Sequence, residues 1–225
     1  MKALSIFVDE SGIYDIRVKY APYYIVTLVF YDQSIDITDS ITSFSKKMSE
    51  LGIADKIIHT GRLIRREEEY RDMFLLERKR IFNSIYNFTR TVDIKYHSFA
   101  IEKKHAIDDV DLSYKLTKQL SSFLRLHMET FVKYDRIDVF YDYGQNELTK
   151  LLVSSFNIAF SNVEITKTKH ADNKLFSAAD MFCTLELLLI KYDKNQLAKS
   201  EMTFFTSAKE LYKSYLKSIE SKRLK

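Results

Sequence analysis

Three aspartates stand at the ends of, or inside, apolar runs. Asp9 closes Leu4-Ser5-Ile6-Phe7-Val8, Asp142 closes Ile137-Asp138-Val139-Phe140-Tyr141, and Asp180 interrupts Leu175-Phe176-Ser177-Ala178-Ala179-Asp180-Met181-Phe182. A carboxylate in apolar surroundings is costly unless it is neutralised, paired or bound to a metal. Three of them, far apart in sequence, are what a hard divalent ion such as Mg²⁺ or Mn²⁺ requires. Two such ions about 4 Å apart can activate a water and stabilise the leaving oxygen of a phosphodiester. The chemistry suggested is therefore metal-assisted phosphoryl transfer, with Asp9, Asp142 and Asp180 as metal ligands.

The neighbours of these residues add candidates. Glu10 follows Asp9, and strand side chains alternate, so the two point to opposite faces unless the turn at Ser11-Gly12 re-aims one. Glu10 is a second catalytic carboxylate or a structural partner. His59, leaving the apolar run Ile57-Ile58 for a polar loop, is a candidate for proton transfer or product departure. The plainer reading makes it a loop histidine contacting backbone. Arg62, Arg65 and Arg66 could hold phosphates, but Glu67-Glu68-Glu69 follows directly and favours ion pairing on a helix face. Asp138 reads as a surface charge or edge residue, Asp172 as a turn or N-cap residue, and Cys183 as a buried core thiol.

Strand-like runs at about 3–10, 23–31, 94–101, 136–142 and 163–169 must position these groups. Helical patterns cover about 34–50, 67–88, 112–131, 146–160 and 173–191. A capping-box pattern, Ser207-Ala208-Lys209-Glu210, opens a last amphipathic helix at about 207–222. Strands first, then β-α-β-α alternation, imply an α/β protein with a mixed sheet and helices on its faces. In such sheets sites form at strand ends, where Asp9 and Asp142 stand.

The 225 residues include 4 Gly and 1 Pro, so no linker divides the chain, and one domain over 1–225 is expected. A single cysteine excludes an internal disulfide, and no run is long enough for a signal-peptide core or a membrane span. A cytoplasmic protein is expected. The net charge of +4 spreads over 35 basic and 31 acidic residues, which permits a nucleic-acid partner without requiring one. Five His and one Cys show no zinc spacing, and no Gly-rich phosphate loop exists.

At the segments Phe7-Val8-Asp9-Glu10-Ser11-Gly12, Tyr141-Asp142-Tyr143-Gly144-Gln145 and Leu175-Phe176-Ser177-Ala178-Ala179-Asp180 the chain resembles the domain of unknown function 3800 family. The family often carries Gln where Ser177 stands. The resemblance implies a ribonuclease H-like fold: a mixed five-stranded sheet flanked by helices, with extra helices before the third strand and at the C-terminus. It implies a metal-dependent nuclease or phosphodiesterase with aspartates on the first strand, the fourth strand and a later helix. Asp9, Asp142 and Asp180 match those positions, with Glu10 beside them. Many members look phage- or defence-related.

The alternative of another class is a non-catalytic interaction module. Lys169 or Lys174 would then neutralise the carboxylates for structure. A glycoside hydrolase would also use paired carboxylates, but no tryptophan exists to form a sugar platform. A homodimer and a monomer are both compatible with the aromatic-rich helices.

Overall fold

Strand β1 (Ala3–Ser11) is buried on both faces. Leu4, Ile6 and Val8 enter one apolar core and Phe7 the other, as period-two alternation requires. The computed structural model describes residues 1–54, 56–142, 144–169 and 173–224. β1 is the middle of five strands, with β2 (Tyr23–Asp32), β3 (Lys95–Glu102), β4 (Arg136–Tyr141) and β5 (Val163–Lys167). The order is β3-β2-β1-β4-β5. β2 runs antiparallel to β1 and β3, whereas β1, β4 and β5 are parallel. This is the mixed five-stranded α/β sheet expected from the pattern.

Gly12 allows the chain to leave β1. Its φ is +101°, and a Cβ there would stand 2.2 Å from the Tyr23 carbonyl oxygen. Only glycine fits so close an approach. The loop that follows is held by the buried Lys103, whose ammonium donates to the carbonyls of Ile13, Asp15 and Val18.

Helices cover both faces. On the Phe7 side lie α1 (Thr38–Glu50), α2 (Thr60–Arg65), α3 (Leu75–Thr91), α7 (Leu175–Asp193) and α8 (Lys199–Phe205). On the Leu4 side lie α4 (Asp109–Leu126), α5 (Met128–Phe131) and α6 (Asn146–Ala159). The extra helices before the third strand and at the C-terminus are both present. Helix α7 is apolar nearly all round because it is buried for most of its length. It crosses the sheet: Phe176 meets Phe7 edge-to-face at 5.3 Å, Cys183 lies against the Ile25 carbonyl, and Glu186 accepts from the Tyr96 hydroxyl at 2.7 Å.

Several elements differ from the sequence pattern. The expected helix over 67–88 is instead a 3₁₀ turn at Glu68–Tyr70 followed by α3, and the unexpected short α2 precedes them. Arg66 and Glu68 have φ of 63° and 46°, which no right-handed helix accommodates, and Glu77 caps the Phe74 N–H where α3 begins. The expected helix over 112–131 breaks at His127 into α4 and α5, and Asp108 caps the first at the Asp111 N–H. Helix α8 gave only a weak signal, the Glu201 carboxylate that caps the Ala198 N–H. Ser207 does cap the last helical run, through the Glu210 N–H. That run is α9 (Ala208–Leu211), a wider π turn (Tyr212–Leu216), α10 (Lys217–Ile219) and a 3₁₀ turn. No helix among the described residues is long and apolar enough to cross a membrane.

Candidate carboxylate centre

The alternation of β1 decides where its two acids go. Asp9 continues the Phe7 face and points toward α7. Glu10 continues the Leu4-Ile6-Val8 face, where its neighbours are Tyr141 and Tyr24. Both stand at the strand's end, so the expected opposition of faces does not separate them. They line one cavity of about 400 Å³, and Asp142, Asp180 and His59 line it too. Every site residue expected from the sequence is therefore brought to one place.

Asp142 arrives through strand pairing. Phe7 is aligned with Phe140 in the parallel β1–β4 ladder, and the same register two residues on sets Asp9 beside Asp142. Gly144 lets Glu10 and Asp142 approach. A Cβ on it would stand 2.8 Å from Glu10 Oε1 and 3.3 Å from Asp142 Oδ1. Asp180 comes from the first half of α7, one turn beyond the Phe176–Phe7 contact. Its Oδ2 accepts the Thr60 N–H at 2.8 Å, tying the start of α2 to the carboxylate. The α7 N-terminus itself is closed by Asn173 Oδ1, which accepts the Leu175 N–H. Asp172, Tyr143 and the terminal Lys225 lie outside the described residues.

The electrostatics are those of crowded like charges. Burial, then the charges of Asp180, Glu10 and Asp142, hold the Asp9 carboxyl well above the usual carboxylate range. Burial and the Asp142 charge push Glu10 up to about 7. Glu10 Oε2 and Thr60 Oγ1 are buried polar atoms with no hydrogen-bond partner. An oxygen-rich donor set with an orphaned carboxylate oxygen suits a hard divalent cation. Among the described residues, however, no three or more His, Cys, Asp or Glu side chains already stand in an arrangement that would hold an ion.

Some neighbours are structural. Asp138 is buried, not a surface charge: it pairs with Arg136 at 3.0 Å and accepts from Gln33, which also bonds Ser5. Lys174 donates to the Ala54 carbonyl. Cys183 is a buried thiol, as expected, although its side of α7 also borders the cavity. Sequence reasoning missed the cavity wall made by α2. Arg62 and Arg65 do form ion pairs, with Glu68 and Glu67, but across a turn and at the cavity's edge.

No family model matches the chain, and no curated protein does. One similar solved chain is a ribonuclease. It is the ribonuclease H2 from Pyrococcus horikoshii OT3, 13% identical, over 94% of this chain and 97% of that one, with a TM-score of 0.31. At that TM-score the overlay is too loose to support an inference about activity.

Proposed function

We propose that this chain is a divalent-metal-dependent phosphodiesterase of the nuclease type, acting on a nucleic-acid strand. The observation that carries the reading is the convergence of Asp9, Glu10, Asp142 and Asp180 on one cavity, with Glu10 Oε2 buried and unpartnered. Such a set is unstable without a cation, because each carboxylate raises the cost of ionising its neighbours. Asp9, Asp142 and Asp180 would hold Mg²⁺ or Mn²⁺, with Glu10 beside them. The bound ion would supply positive charge at the scissile phosphate and lower the pKa of an attacking water.

The remaining work falls to the chain's own groups. Thr60 N–H fixes the orientation of Asp180. His59, the residue before α2, lines the cavity and would carry a proton toward the departing oxygen. Gly144 keeps the approach between Glu10 and Asp142 open. The order of the three acidic segments along the chain supports assignment to the domain of unknown function 3800 family.

The test is cleavage of labelled single-stranded RNA and DNA in Mn²⁺, in Mg²⁺ and in a chelator. The expected outcome is metal-dependent cleavage lost by at least about 100-fold in Asp142→Asn, with an unchanged circular dichroism spectrum. Cleavage that survives in folded Asp142→Asn would overturn the assignment of that ligand.

A further inference from the structure

A cavity walled by four carboxylates repels the polyanion it is proposed to cut, and a bound cation offsets that repulsion only at the phosphate it touches. The next phosphate along a strand needs a fixed positive charge. Arg62 and Arg65, one turn apart on α2, are the permanently charged cations among the described residues lining the cavity. Resting on the nuclease reading above, we infer that Arg62 and Arg65 grip a substrate phosphate flanking the carboxylate centre. Glu67 and Glu68 occupy the two arginines until that phosphate arrives.

The geometry of α2 suits this role. Its first residue is tied to Asp180 through the Thr60 N–H. Two carbonyls of its last turn, Leu63 and Ile64, accept at 2.8 and 3.0 Å from the buried Arg78 guanidinium. The helix is thus fixed at both ends, and its arginines keep a constant position relative to the carboxylates. The resting pairs, by contrast, are easily exchanged. Arg62 Nη1 meets Glu68 Oε2 at 2.6 Å, with side chains 40% and 60% exposed. Arg65 meets both Glu67 oxygens at 2.8 and 2.9 Å, with side chains 32% and 46% exposed. Ion pairs so accessible to water contribute little, and a strand phosphodiester, singly charged like a carboxylate, offers each arginine a two-pronged contact such as Arg65 now makes with Glu67.

The chain bends sharply to make these pairs. Arg66 and Glu68 both adopt left-handed backbone, and Arg66 is held by the Arg71 carbonyl at 2.6 Å. The two glutamates fold back onto the helix that precedes them. A phosphate entering the cavity therefore competes with acids of the same loop, which gives the site a threshold against weak anions.

The test measures binding of 5′-fluorescein-labelled 12-nucleotide oligo-U and oligo-dT by anisotropy, in Ca²⁺, across a salt series. Arg62→Gln/Arg65→Gln is expected to bind at least 10-fold more weakly, with the log–log salt slope flattened by about 0.7, as the loss of one neutralised phosphate requires. Glu67→Gln/Glu68→Gln is expected to bind about three-fold more tightly, since it removes the competitor. Both pairs sit at an exposed rim, and unchanged thermal melts verify folding. Wild-type affinity in the arginine variant, or weaker binding in the glutamine variant of the acids, overturns the inference. So does a wild type that takes up Mn²⁺ in calorimetry yet binds neither oligonucleotide. A wild type that takes up no Mn²⁺ fails the parent reading instead, and the effect of the arginine variant on oligonucleotide binding still decides the phosphate wall.

Discussion

Glu10 carries the clearest consequence at the scale of single residues. Its carboxyl titrates near 4.5 in an unfolded chain and is pushed up to about 7 in the fold by burial and Asp142. Between those values the folded state binds the extra proton, so stability falls as pH rises from 4.5 through 7. The full cost above pH 7 is up to about 3 kcal/mol. Glu10→Gln is therefore expected to melt several degrees higher than wild type at pH 8 in a chelator, and to melt alike at pH 4. Equal melting temperatures at both pH values would contradict the burial of an ionisable Glu10. The acids themselves were legible because each terminates or interrupts an apolar run. Glu10's contribution was harder to read: alternation predicts opposite faces, and the shared cavity arises only because both residues lie at the strand's tip. Asp138 misled for the opposite reason. Its position inside a strand looks like an edge charge, and its burial beneath Arg136 and Gln33 depends on β2, far away in sequence.

Helix α2 is the element on which the site's accuracy depends, and Arg78 is its anchor. The Arg78 guanidinium is buried and donates to the Leu63 and Ile64 carbonyls in the helix's last turn. Arg78→Ala is expected to cost about 2–4 kcal/mol, since it strands buried carbonyls and opens a gap. Hydrogen exchange should locate the damage, with faster exchange over residues 60–66 and little change in β1. Uniform exchange across the chain would contradict an anchoring role. Gly12→Ala tests the turn that aims Asp9 and Glu10. The methyl would meet the Tyr23 carbonyl at 2.2 Å, and the expected loss is at least about 2 kcal/mol in urea titrations. The sheet and the long helices were readable because their periodicities are strong. The segment 50–90 was not, because its course depends on left-handed backbone at Arg66 and Glu68, residue types that give no such signal.

On the scale of the whole molecule, residues 222–224 dock against the edge strand β3 and helix α7. Arg223 pairs with the buried Glu186 on α7 and bridges to Tyr96 on β3, while Lys222 donates to the Val92 carbonyl. The tail thereby meets the edge strand β3 through one backbone bridge at Tyr96, where Leu224 N–H donates to the Tyr96 carbonyl. Arg223→Ala leaves Glu186 buried with only the Tyr96 hydroxyl, and is expected to cost about 3 kcal/mol with an unchanged urea m-value. This contact could not be read from sequence, because Glu186 sits 37 residues away in an apolar helix with no local partner. The fold brings β1, β4 and α7 to one cavity, where the proposed divalent ion would bind. The direct test is calorimetric titration of Mn²⁺ into wild type and into Asp9→Asn/Asp180→Asn at pH 7.5. Saturable binding by the wild type, absent from the folded double variant, is the expected result. A folded wild type that takes up no Mn²⁺, or a double variant that binds it equally well, would contradict the account.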